Sequence, residues 1–316
     1  MERTSTDSDL PGPNFDHDPV MLREITDLAS NLSPGVFVDL TLGGAGHSFS
    51  VLSAHASLVL HAVDQDERAI VAATEQLAPF GDRANIHHTR FDNANSVLDS
   101  AGVTSISGFL MDLGVSSPQI DTSERGFSYR LDGPLDMRMD PSTTLTAADV
   151  VNTYSPAELL DVLRSYGDER QARRVVDAIV ANRPIESTVA LAELVSEAMP
   201  AAVRRKSTGH LAKRTFQAIR IEVNDELGIL GDTLDAMIER LAPGGVGMVL
   251  TYHSGEDRIT KDRMRQMIDG DAPPGMPSMS PFSWLFRGAR TPSDEEIASN
   301  PRARSARLRA ITRADT

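Results

Sequence analysis

The sequence predicts an α/β fold, in which a doubly wound, mainly parallel sheet is interrupted by an all-helical insertion. Three observations support this prediction. In the first 120 residues, short apolar runs alternate with amphipathic stretches, as in a parallel sheet with crossover helices. Strand-like runs are nearly absent between 121 and 224, and the alternation resumes after that. We therefore expect one α/β domain, formed by residues 15–120 and 225–316, with a helical domain at 121–224.

The elements of the first part follow from their apolar periodicity. Continuous apolar runs bounded by turn residues indicate buried strands, and longer amphipathic stretches indicate helices. The predicted strands are 36–40, 58–63, 85–89 and 106–113, and the predicted helices between them are 67–77 and 93–98.

The middle of the chain contains three helical stretches, each preceded by a capping residue. Ser155, Asp168 and Ser187 are the predicted caps of helices 156–166, 168–182 and 188–198. Beyond them we predict a helix at 226–241, a strand at 246–252 and a late strand at 307–311. Residues 1–14 are polar and are predicted to be a disordered leader, and 271–281 is predicted to be a loop.

Composition limits the possible chemistry. The 316 residues include no cysteine, which excludes disulfides, zinc–thiolate sites and cysteine nucleophiles. No apolar run is long enough to span a bilayer, so we expect a cytoplasmic protein without a membrane partner. The net charge of −14 taken alone disfavours a polyanionic partner. Six cations without an acid lie between 201 and 220, and five arginines without an acid lie between 302 and 313. Either run alone is more simply a solvated face, but the two runs together with the motifs below favour phosphate contact.

A nucleotide-type pocket is predicted where the first strands end. Asp39 is followed by a glycine-rich turn, Gly43-Gly44-Ala45-Gly46-His47, and Asp64 ends the second strand. Glycines let the backbone approach a ligand, and an acid at the second strand accepts ribose hydroxyls. A nicotinamide fingerprint would require glycine where this chain has Phe49, so that class is excluded. S-adenosyl-L-methionine, which has no pyrophosphate, suits such a loop. Asp112, at the end of the fourth strand, is expected beside the adenine or the reacting methyl group.

Several motifs resemble those of the bacterial 16S rRNA (cytosine-N4)-methyltransferases, in order from about residue 17 to about residue 309. The run at 132–140 is very specific. The motifs are HDPV (17–20), DLGVSSPQ (112–119), RGFS (125–128), DGPLDMRMD (132–140), RTFQA (214–218) with VN (223–224), HS (253–254) with EDR (256–258), and NPRARS (300–305).

The resemblance implies a Rossmann-like class I methyltransferase domain whose inserted all-helical domain recognises the substrate. The implied reaction is methylation of the N4 amine of a cytidine, position 1402 of 16S rRNA in the 30S subunit, at the ribosomal P-site. The residues implied to contact the methyl donor, together with the adjoining Gly44, are Ala45, Gly46, His47, Asp64, Phe91, Asp112 and Gln119.

The chain departs from the family pattern at three places. The family usually has paired glycines where this chain has Ala45-Gly46, and His-Pro-Ala-Thr where it has His210-Leu211-Ala212-Lys213. The family's Phe-His-Ser-Leu-Glu-Asp appears here as Tyr252-His253-Ser254-Gly255-Glu256-Asp257. The last two departures fall in segments expected to face the substrate.

The reaction requires alignment of nitrogen, methyl carbon and sulfur, together with an acceptor for an N4 proton. Asp112 is the first candidate acceptor, and Asp136 and His253 are the alternatives. Asp132, Asp136 and Asp140 have the spacing of metal ligands, but we predict a structural network and no metal site; a magnesium ion bridging to RNA phosphate stays open. The expected phosphate contacts are Arg125, Arg138, Arg204, Arg205, Lys206 and Arg214, with Phe127, Tyr129 and Phe216 as candidate stacking residues.

Two other functions remain open from the sequence. A methyltransferase for DNA or a small molecule is disfavoured, because the run after Asp112 lacks the Pro-Pro-Tyr-type turn of amino-methylating DNA enzymes. A non-catalytic RNA-binding or ribosome-assembly factor on a methyltransferase fold is the main alternative. The sequence leaves the oligomeric state open between monomer and homodimer.

Overall fold

The computed structural model describes residues 19–270 and 279–315, which are organised by one seven-stranded sheet. The strands are β1 Gly35–Asp39, β2 Leu58–Asp64, β3 Ala84–His88, β4 Ile106–Asp112, β5 Leu241–Thr251, β6 Phe282–Trp284 and β7 Arg307–Arg313. Their order is β3-β2-β1-β4-β5-β7-β6. Strands β1 to β5 run parallel to one another, and β7 is antiparallel to both β5 and β6. The predicted doubly wound α/β fold is confirmed.

Helices cover both faces of this sheet. The first half contributes α1 Leu22–Ala29, α2 Gly46–Ala54, α3 Glu67–Leu77, α4 Ala94–Ser100 and α5 Ser117–Asp121. Two hydrophobic clusters lie on opposite sides of the sheet, one centred on Phe37 and Leu60 and the other on Phe109 and Met111. Because side chains alternate across a strand, neighbouring residues of β1 and β4 feed different clusters.

The middle of the chain is helical. Its elements are α6 Ala147–Thr153, α7 Pro156–Ser165, α8 Ala172–Ala181, α9 Thr188–Ala198, α10 Ala201–Lys206 and α11 Lys213–Asn224. These helices pack around a separate cluster of buried side chains that runs from Phe127 to Val223. The predicted caps Ser155 and Ser187 accept backbone N–H groups at the starts of α7 and α9.

The chain then returns to the sheet through α12 Leu230–Glu239, and α13 Ser254–Asp269 and α14 Asp294–Ser299 follow. The strand predicted from residue 246 begins at Leu241, and two predicted helix starts are also wrong. Asp168 has a left-handed backbone (φ 46°) and does not cap α8, which begins at Ala172. The helix predicted from residue 226 begins at Leu230, because α11 is closed by its C-cap Asp225, which has a left-handed backbone (φ 50°), and residues 225–229 form a turn.

The strand order reverses between β1 and β4, which places the carboxyl ends of β1, β2 and β4 around one crevice. Open α/β sheets bind ligands at such a switch point. The predicted leader at 1–14 and most of the predicted loop at 271–281 lie outside the described residues. Within the described ranges, no helix combines the length and the apolar character needed to cross a membrane.

Candidate cofactor pocket and active site

A cavity of about 1010 Å³ lies at the carboxyl ends of β1, β2 and β4. It is at the upper end of the size range of ligand pockets, roughly 300–1,000 Å³. The sequence-predicted residues that line it are Gly44, Gly46, His47, Asp64, Phe91, Asp112 and Gln119. The structure therefore brings the glycine turn and the two strand-end acids to one cavity.

Asp39 shapes the turn between β1 and α2. Its side chain is 1% exposed, and it accepts hydrogen bonds from the backbone N–H of Thr41 (3.1 Å) and the hydroxyl of Ser48 (2.6 Å). Burial raises the pKa of Asp39, and these hydrogen bonds partly offset the rise. The Thr41 hydroxyl in turn accepts a hydrogen bond from the backbone N–H of Asp112 at 2.6 Å. Through Thr41, Asp39 at the end of β1 is therefore connected to the end of β4.

The start of α2 brings its backbone close to the N-terminal part of the described chain. A Cβ atom on Gly46 would lie 2.4 Å from Pro19 Cγ, so no side chain fits there. The preceding residue, Ala45, is buried with a φ of 65°, in the left-handed region that favours glycine. Ala45 does not line the cavity itself but sets the direction in which Gly46 and His47 enter the helix.

Asp64 is held by backbone N–H groups rather than by a cation. Its Oδ2 accepts from Gly43 at 2.8 Å, and its Oδ1 accepts from Asp66 at 2.8 Å. Burial raises the pKa of Asp64 to about 6, against the effect of these two hydrogen bonds. Carboxylate oxygens retain further lone pairs, so the side chain can still accept ligand hydroxyls from the cavity.

Asp112 presents its carboxylate between Tyr252 and His47. The Tyr252 hydroxyl donates to Oδ1 at 2.6 Å, whereas Oδ2 lies 3.6 Å from His47 Nε2. Both ring nitrogens of His47 are buried without a hydrogen-bond partner among the described residues. Buried polar groups are normally paired, so this ring is a candidate contact for a bound ligand.

Gln119 and Arg125 converge on Asp66, which also caps α3. Gln119 Nε2 donates to Asp66 Oδ2 at 3.0 Å, and Arg125 Nη1 donates to the same oxygen at 2.7 Å. Arg125 also donates to the backbone oxygens of Arg138 and Met139, and its side chain is 8% exposed. The prediction that Arg125 contacts RNA phosphate is therefore wrong, since this guanidinium is buried and engaged within the protein.

The two alternative acceptors do not line the cavity. Asp136 forms a two-point ion pair with Arg138, whose hydrogen bonds lower the pKa of Asp136 against the opposing effect of burial. His253 caps α13, where its Nδ1 accepts from Gly255 and Glu256 and its Nε2 lies 3.0 Å from Glu256 Oε1. Asp136 therefore has a structural partner that accounts for it, whereas His253 Nε2 lies near Glu256 but is buried without a hydrogen-bond partner among the described residues.

The remaining basic residues differ in accessibility. Arg138 donates to Asp136 and to two backbone oxygens, at Pro141 and Thr143, which leaves little of its guanidinium for RNA. Arg204, Arg205 and Lys206 are exposed on α10, and none has an acidic partner within 4 Å among the described residues. Arg214 is also exposed and donates to the backbone oxygen of Asp168.

The cavity includes residues that the sequence analysis did not assign to it. Asn224, Glu226, Tyr252 and Glu256 also line it. Positions 224, 252 and 256 already belonged to the motifs of the resemblance. The sequence did not show that they line the same cavity as Asp112, which only the structure reveals. None of the described lining residues is a lysine or an arginine, whereas five are acidic: Asp64, Glu75, Asp112, Glu226 and Glu256. Such a lining suits a cationic ligand and disfavours a pyrophosphate.

Comparisons with known proteins are consistent with this geometry. The model of the MraW methylase family matches residues 14–314. The chain is 48% identical over 308 residues to a ribosomal RNA small subunit methyltransferase H from Thermobifida fusca, covering 94% of this chain and 93% of that protein. It is also 48% identical over 317 residues to the Salinispora tropica protein of the same name, covering 95% and 84%. A solved rRNA methylase from Streptococcus thermophilus is 12% identical and aligns with a TM-score of 0.39 over 92% of this chain and 95% of that chain.

Proposed function

Because the chain belongs to the MraW methylase family, we propose that it transfers the methyl group of S-adenosyl-L-methionine to the N4 amine of a cytidine in 16S rRNA. The relatives named ribosomal RNA small subunit methyltransferase H support an rRNA of the 30S subunit as substrate. Such a substrate implies a cytoplasmic enzyme with RNA as its partner.

The observation that supports this proposal most directly is the acid-lined cavity at the switch point of the sheet. S-adenosyl-L-methionine supplies an electrophilic methyl group on a positively charged sulfonium. A lining with five acids and no lysine or arginine among the described residues fits that charge. Asp64 is positioned to accept ribose hydroxyls, and Gly43, Gly44 and Gly46 of the turn line the same cavity.

Asp112 is the proposed acceptor of the N4 proton. The lone pair of the cytosine amine is delocalised into the ring, so an acceptor that hydrogen-bonds the amine makes the nitrogen a better nucleophile. When the amine accepts the methyl group that a bound S-adenosyl-L-methionine would supply, its proton would pass to the Asp112 carboxylate. Oδ2 is the available oxygen, because Oδ1 already accepts the Tyr252 hydroxyl.

We further propose that residues 121–224 form the substrate-recognition domain. The segment has its own buried cluster, and its helix α10 exposes Arg204, Arg205 and Lys206. Exposed cations without acidic partners suit contacts to RNA phosphates. The target base has to leave its stack to reach the cavity, which requires a surface that holds the surrounding RNA.

The test is methyl transfer from labelled S-adenosyl-L-methionine to 30S subunits that lack this modification, followed by mass spectrometry of the 16S rRNA. We expect N4-methylcytidine with the wild-type protein. Asp112→Ala should lower the rate by a factor of 100 or more, the usual scale for general acid–base groups, while RNA binding persists.

Asp136→Asn and His253→Gln are the matched controls, since both residues lie outside the cavity lining. We expect either variant, where it folds, to lose less activity than Asp112→Ala. Full turnover by Asp112→Ala would overturn the acceptor assignment. Absence of N4-methylcytidine with wild-type protein that binds 30S subunits would instead favour the non-catalytic assembly factor.

A further inference from the structure

The two oxygens of the Asp112 carboxylate have different surroundings. Oδ1 accepts the Tyr252 hydroxyl at 2.6 Å, and Oδ2 has only His47 Nε2 near it, at 3.6 Å. The Asp112 side chain is 25% exposed, and that exposed part faces the cavity it lines. A carboxylate held at one oxygen presents the other in a fixed direction.

Tyr252 is well anchored for this task. It follows β5, and its backbone N–H donates to Glu256 Oε2 at 2.7 Å. Its ring lies beside Gly114, where an added Cβ would be 3.6 Å from Tyr252 Cδ2. Burial, followed by the neighbouring Asp112, raises the pKa of Tyr252 well above its usual value, so the phenol keeps its proton and remains a donor.

We propose that Tyr252 is a positioning residue, whose hydroxyl holds Asp112 Oδ1 so that Oδ2 points at the amine to be methylated. This inference rests on the proposed role of Asp112 as proton acceptor. The family usually has Phe at this position, and Phe has no hydroxyl. The proposed positioning is therefore a property of this chain and not a general requirement of the reaction.

The physical reason is the freedom of an aspartate side chain. The terminal torsion of Asp has a broad energy profile, so an unrestrained carboxylate samples many orientations. A hydrogen bond to an ionised group is among the stronger ones, and here it is short. Tyr252→Phe removes only the hydroxyl and so frees the carboxylate, and reactions that depend on alignment lose rate when a group is misplaced.

The test is Tyr252→Phe, measured as single-turnover methylation of 30S subunits with enzyme in excess. We expect the maximal rate to fall three- to tenfold, while the S-adenosyl-L-methionine concentration at half-maximal rate changes less than twofold. The control is Tyr154→Phe, which removes another half-buried tyrosine–carboxylate hydrogen bond, to Glu222 Oε1 at 2.8 Å on α11. The control should leave the maximal rate unchanged.

A double-mutant cycle separates positioning from a general disturbance of the pocket. In the Asp112→Ala background there is no carboxylate to position, so adding Tyr252→Phe should change the residual rate by less than twofold. An equal loss in both backgrounds would overturn the positioning role, as would no loss in the wild-type background. Failure of the proposed function appears differently, as no methylation by the wild-type protein at all.

Discussion

Five of the six cations between 201 and 220 are exposed, the exception being Arg220 in its ion pair with Glu226, whereas the run at 302–313 directs most of its cations to partners within the protein. Arg204, Arg205 and Lys206 have no acidic partner within 4 Å among the described residues. In the second run, Arg309 is 7% exposed and forms a two-point ion pair with Asp257. Arg302 likewise pairs with Asp121.

The difference follows from the elements that carry the two runs. Residues 307–313 form β7, which lies inside the sheet between β5 and β6, so alternate side chains have to point into packed layers. Residues 201–206 form a short helix in which no residue is buried. A count of cations therefore does not predict a nucleic-acid surface until the element that carries them is known.

The largest expected effect of this difference is on stability. Arg309→Leu leaves Asp257, which is 16% exposed, with only the more exposed Arg307 nearby. Removing one partner of a buried ion pair is strongly destabilising, so we expect the free energy of unfolding to fall by about 3 kcal/mol. Urea denaturation followed by circular dichroism measures this change.

Arg304→Ala is the control for that experiment, because Arg304 is exposed in the same run. Its substitution should change the unfolding free energy by less than about 0.5 kcal/mol. Equal losses in the two variants would mean that the second run contributes through overall charge rather than through the Arg309–Asp257 pair.

A charge without a cationic partner is also found inside the cavity, at Asp64. Burial raises its pKa to about 6, and its hydrogen bonds come from backbone N–H groups. Only the ionised carboxylate accepts from both ribose hydroxyls, so the ligand has to displace a proton below that pH. We expect the affinity for S-adenosyl-L-methionine to fall about tenfold between pH 7 and pH 5, since one proton is linked to binding over that range.

Titration calorimetry tests this expectation and its sign. Binding near pH 6 should release protons, which appears as a heat that varies with the ionisation enthalpy of the buffer. The stability of the ligand-free protein should depend on pH in the opposite direction to ligand affinity. Because the pKa of Asp64 is raised on folding, its contribution to the free energy of unfolding is largest at low pH and decreases as the pH rises through 6. Asp64→Asn should bind more weakly and lose the pH dependence, and a wild-type affinity that is flat from pH 5 to pH 7 would contradict the assignment.

Local signals in the sequence predict much of the fold and some of the residues that line the cavity. The helix predicted at 67–77 has those bounds in the structure, where Asp66 caps its start. Asp64 and Asp112 line the predicted cavity because the carboxyl ends of neighbouring parallel strands meet at one edge.

The rest depends on contacts between distant parts of the chain. Tyr252 and Asp112 are 140 positions apart, and Arg125 and Asp66 are 59 apart. A motif arginine that contacts RNA phosphate cannot be distinguished in the sequence from one that contacts a buried acid. The sequence alone therefore assigns Arg125 to phosphate, whereas the structure pairs it with Asp66. Only the packing of the loop after α5 against the start of α3 distinguishes the two outcomes.

The smallest expected effect concerns the exposed cations of α10 and their contribution to RNA affinity. Arg204→Ala combined with Arg205→Ala should weaken binding to 30S subunits about fivefold near physiological salt, without a change in melting temperature. Each lost phosphate contact also lowers the steepness of log affinity against log salt by about 0.7, so the loss of two contacts should lower it by about 1.4. Arg173→Ala with Arg174→Ala is the matched control, since it removes an exposed arginine pair from α8 of the same helical segment. Equal weakening by both pairs would show that the RNA responds to the overall charge of the segment. A loss confined to Arg204 and Arg205 would place the phosphate backbone along α10, because only a local contact distinguishes two arginine pairs of equal charge.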